Sequence, residues 1–139
     1  MSGARPSLAE YIDAIESSYE FMLAYAAQGR DFESVGGDGP SIRKVLKELR
    51  EALALVGGAF EGQAALAGAE ARARFLDFCR LLKSDAERAL MAVDLVLAVE
   101  NISSQLVDNL NASLHLRALL TDMFLIDEAT KTLSNKVQH

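Results

Sequence analysis

From Ser84 to Phe124 the chain carries neither glycine nor proline, and between Ala89 and Val99 its only polar side chain is Asp94. The run opens with Ser84-Asp85-Ala86-Glu87, a Ser three residues ahead of a Glu. In that capping box the hydroxyl accepts from the N3 amide and the carboxylate reaches back to the N-cap amide. The pattern predicts a long central helix near 85–110, apolar round most of its circumference and therefore enclosed by other helices. Asp94 interrupts this apolar surface. An ionised carboxylate among Val93, Leu95, Val96 and Leu97 must be paired, hydrogen-bonded, protonated or turned to water. The simplest account of Asp94 is a narrow polar edge on an otherwise buried helix, shared with Glu87 and Asn101 and extended by Gln105 and Asp108. As the polar-in-core candidate it would instead pair with an arginine such as Arg72, Arg74 or Arg80, or touch a ligand.

Beyond Val99 the apolar steps go on. Leu95, Val99, Ile102, Leu106, Asn109, Ser113, Leu116, Leu120 and Met123 alternate by four and three, as the seam of a helix–helix interface does. Asn109 and Ser113 make a polar gap in it. Either one long helix carries a polar layer that sets register with a partner, or the helix breaks, with Asn111 or Ser113 as a new N-cap. A break suits a compact bundle better, because an unbroken helix over 85–134 would reach about 75 Å.

The N-terminal half reads as three shorter helices. Ser7 and Glu10 form a second capping box, and Leu8, Ile12, Ile15, Tyr19, Met22 and Ala26 line one face up to a C-terminal Gly29. Gly36, Gly37, Gly39 and Pro40 mark 29–40 as a Gly-rich loop. Gly36-Gly37-Asp38-Gly39 lacks the Lys-Ser/Thr that completes a phosphate-cradling P-loop, and no strand precedes it. Ser41 caps the next helix, with Ile42, Val45, Leu46, Leu49, Leu53 and Val56 on one face and Gly57-Gly58 ending it. Its Arg43, Lys44, Lys47, Glu48, Arg50 and Glu51 read as a solvated mixed-charge face. Phe75, Leu76, Phe78, Cys79 and Leu82 define a third helix, and with no glycine or proline to enforce a stop, Ser84 either turns the chain or sits in a continuing helix. The predicted fold is all-α: an antiparallel bundle of four to five helices at about 8–28, 41–57, 65–83, 85–110 and 113–134. It forms a single domain over 1–139, with 1–6 disordered.

Composition narrows the function classes. The chain has 139 residues, half of them hydrophobic, enough to bury a core without staples. One cysteine, Cys79, precludes an internal disulfide, and Met1 to Pro6 has no apolar signal region, so a cytoplasmic location is expected. Fourteen Lys and Arg against twenty Asp and Glu give a net charge of −6, which disfavours nucleic acid as a partner. The longest apolar run is far short of the roughly 20 residues of a membrane-spanning helix, so no membrane partner is expected.

Candidate chemistry is sparse. The histidines are His115 and His139, neither with a Glu three positions before it, which excludes the Glu-x-x-His pattern of di-iron bundles. No metal or cofactor is expected. Nor is a catalytic residue: His115 lacks a convergent nucleophile, and Cys79 beside Phe75, Phe78 and Leu82 reads as a small buried hydrophobe. The expectation is a non-enzymatic, self-associating helical interaction or regulatory module, a homodimer, with another protein as a possible partner. The alternatives are a bundle holding an apolar small molecule among Phe75, Phe78, Met91, Met123 and Phe124, and a chaperone-like binder of an amphipathic segment.

Overall fold

A computed structural model describes residues 8–33, 41–64 and 67–138. The expected disorder of 1–6, the Ser7 cap and the glycines of the 34–40 segment lie outside the described residues. Among the described residues there are five helices and no strand: α1 (Leu8–Ala27), α2 (Ile42–Ala64), α3 (Ala69–Leu97), α4 (Ser104–Leu114) and α5 (Leu116–Gln138).

Helix α1 buries Leu8, Ile12, Ile15 and Met22 of the predicted face together with Ser18 and Tyr25, leaves Tyr19 and Ala26 half-buried, and Gly29 beyond it takes a left-handed φ of +63°. In α2 the Ser41 hydroxyl accepts the Lys44 N–H at 3.1 Å, so the predicted cap forms. The helix does not stop at Gly57-Gly58, however. It runs on to Ala64 because Phe60, completely buried, anchors the additional turn.

The two glycines have different surroundings. A Cβ on Gly57 would lie 2.7 Å from Lys83 Cγ and 3.1 Å from its Cα, so Gly57 lets α2 and α3 approach closely, whereas a Cβ on Gly58 would meet nothing within 4 Å. Gly58→Ala is expected to stabilise the fold by roughly 0.5–1 kcal/mol through helix propensity. Gly57→Ala should lose that gain and destabilise by about 1–2 kcal/mol as the helices are forced apart. Urea unfolding of the two variants checks the contrast, and equal shifts would contradict the close approach.

Helix α3 passes through Ser84 without a break. Cys79, Leu82, Ala86, Ala89, Val93 and Val96 are all buried, one stripe stepping by three and four across the predicted boundary. The long helix expected near 85–110 therefore starts earlier, at Ala69, and ends earlier, at Leu97. The polar gap is resolved as a break, but not at an Asn111 or Ser113 cap. His115 adopts the left-handed conformation (φ 52°, ψ 37°) and turns α4 into α5. The cap that starts α4 is Ser103, whose hydroxyl accepts from Leu106 N–H at 3.1 Å.

Arg50 of α2 meets Asp94 of α3 while Gly57 lies against Lys83, so the two helices run antiparallel. Helix α2 packs between α1 and α3, and α4 and α5 each close on α1 and α3. Phe60, Ile15, Met22, Leu46, Leu49, Leu53, Leu82, Ile102, Leu116 and Met123 are all fully buried in the shared core.

Candidate functional site

The densest polar construction is a clamp at the end of α3. Arg43, on the first turn of α2, donates to both carboxylate oxygens of Glu33, at 3.0 and 2.8 Å. The same guanidinium donates to the main-chain carbonyls of Leu97 (3.1 Å), Val99 (2.6 Å) and Glu100 (2.8 Å). Carbonyls at a helix C-terminus lack intrahelical donors and carry its negative dipole end, so a guanidinium satisfies both needs. Glu33 in turn accepts Ile102 N–H at 2.8 Å, and its own N–H donates to Asn101 Oδ1 at 3.0 Å.

Deeper in, Tyr25 Oη donates to Ile102 O at 2.6 Å, and the buried Ser104 hydroxyl donates to Tyr25 O and accepts from Arg30 N–H. Burial, and then the Glu33 carboxylate, hold the Tyr25 phenol above its ordinary pKa, with Arg30 over its ring pulling the other way. All these groups are spent on one another. The clamp positions the segments that meet at the end of α3. It also corrects the reading of Arg43 as part of a solvated face: its side chain is 30 % exposed and serves five acceptors.

By ending α3 at Leu97, the clamp determines what becomes of the predicted seam. Ile102, Leu116 and Met123 are fully buried and Leu120 is buried in the chain's own core; Leu106 is half-buried, while Asn109 and Ser113 face water. The nine positions do not form one line, because the chain turns twice, at 98–103 and at His115. Only the Leu95 and Val99 end of the seam is an exposed apolar surface.

That end belongs to a larger apolar face. Met91 is 73 % and Leu95 71 % exposed, with Val99 beyond them and Leu81 earlier on the same side of α3. The backbone on both sides of the exposed Phe32 is tied to Asn101, through Asp31 O and Glu33 N–H. The 89–99 stretch was expected to be enclosed on most sides. Instead α3 buries one stripe and leaves these side chains in water. Phe124 and Leu125 are a second exposed apolar pair, on α5.

Asp94 stands at a polar edge of α3, not in the core. Its side chain is 45 % exposed and pairs with Arg50 of α2, not with Arg72, Arg74 or Arg80. The hydrogen bond and the charge of Asp94 raise the Arg50 pKa further. The five residues expected to line a ligand cavity are also dispersed: Met123 is fully buried, while Met91 and Phe124 are on the surface.

Cys79 is fully buried, donates to Phe60 O at 3.4 Å, and its thiol is pushed up to about 11 by burial and then by the Glu61 charge. It should resist a thiol reagent at pH 8 in the native state and react only on unfolding. The raised pKa means the fold favours the protonated thiol. Its contribution to stability is present below the ordinary value of about 9 and is lost as pH climbs toward 11. Thiol titration with and without denaturant checks this, and rapid native-state labelling would refute it.

His115 lines a surface cleft of about 180 Å³ with Asp85, Arg88, Ser113 and Asp122. Among the described residues no group of three or more His, Cys, Asp or Glu side chains is arranged to hold a metal ion, and no helix is long and apolar enough to cross a membrane. Compared with protein-family models, with curated proteins and with solved structures, the chain matches none of them.

Proposed function

We propose that the chain is a self-associating helical interaction module and that the exposed Met91, Leu95 and Val99 face of α3 is its contact surface. One observation carries the proposal: on the longest helix, large apolar side chains occupy positions that a helix with one buried stripe normally gives to polar residues. Contiguous exposed apolar side chains of this kind mark interaction surfaces in water-soluble proteins. A non-enzymatic role in the cytoplasm belongs to the same proposal, supported by a lone cysteine kept as a buried, protonated thiol. A partner other than a second copy is the variant of this reading that uses the same face.

Light scattering over a range of protein concentrations, at low and high salt, tests it. The mass should rise toward a dimer in the micromolar range and hold at high salt, because apolar contact is not screened. Leu95→Glu should raise the dissociation constant at least about tenfold, equivalent to roughly 1.4 kcal/mol, while leaving the helical circular dichroism unchanged. A monomer at every concentration would overturn self-association. A dimer indifferent to Leu95→Glu and Met91→Glu would overturn the choice of face.

A further inference from the structure

We draw no further inference here: the strongest candidate, the cleft where Asp85 and Arg88 of α3 meet His115 and Asp122 at the α4–α5 corner, carries nothing, because among the described residues no buried polar group without a hydrogen-bond partner lines it to name a ligand.

Discussion

Arg43→Met is expected to lower the unfolding free energy by about 2–3 kcal/mol, the cost of stripping a partly buried carboxylate and several main-chain carbonyls of their charged donor. Methionine keeps the aliphatic stem, so the loss reports the guanidinium rather than packing. The Glu33 side chain, only 17 % exposed, would retain the Ile102 N–H but lose both arms of the fork. Leu97, Val99 and Glu100 would present carbonyls with no donor at the end of α3. With a urea slope of about 1–3 kcal/mol per molar, the unfolding midpoint should drop by roughly 1 M or more. Arg43→Lys should recover only part of this, since an ammonium cannot fork to a carboxylate and reach the carbonyls together. Combining Arg43→Met with Glu33→Gln should cost less than the sum of the two single changes, because they share one network. A midpoint within the scatter of ordinary surface variants, about 0.5 kcal/mol, would mean that the clamp is incidental and that something else ends α3.

The clamp also marks where reading by pattern stops. Periodicity in three and four identifies a buried stripe whatever its partner, so α1 and the first part of α2 were legible from residue spacing alone, whereas the Cys79-to-Val96 stripe was divided at Ser84 and its second half read as apolar on most sides. Where a helix ends is a different kind of fact. Local signals worked when the terminating group was close in sequence, as with Gly29 and Ser41. They failed at Leu97, where the deciding donor, Arg43, lies more than fifty residues away and looks like any solvent-facing arginine of a charged helix.

His115 was opaque for a related reason: a non-glycine residue takes the left-handed region between two helices that each pack on α1 and α3, and its own sequence neighbourhood does not announce it. The Asn101-Ile102-Ser103-Ser104 run was the one available hint of a break, since Asn and Ser favour turns and N-caps over helix interiors. Once the break falls at 98–103, the heptad reading of 95–123 loses its continuity. Its buried members go to the internal core and its exposed members remain as a surface. The candidate site was thus half legible. The apolar excess of 89–99 was evident in the sequence, but which side of α3 its neighbours would leave uncovered depended on how α2, α4 and α5 pack around it.

The larger stability effect should come from the turn of α2 beyond its glycine pair. Ala59 to Gly68 has little pattern of its own, and a helix ending at Gly57-Gly58 would leave Phe60 in a connection, where an aromatic ring is dispensable. In the structure that ring is fully buried, and its carbonyl accepts the Cys79 thiol of α3. Phe60→Ala should therefore cost about 3–5 kcal/mol, the sum of the lost transfer energy and the cavity left behind. At roughly 3–4 °C per kcal/mol for a chain of this size, the thermal midpoint should fall by about 10–20 °C. Phe124→Ala is the matched control, the same atoms removed from a ring that is 47 % exposed on α5, and it should cost well under half as much. Phe60→Leu should fall between, since it refills most of the space. Equal losses for Phe60→Ala and Phe124→Ala would place Phe60 outside the core and return the end of α2 to the glycines. A loss confined to Phe60 would mean that Gly57 serves as the point of close helix contact and that one aromatic residue, three positions on, holds the helix together past it.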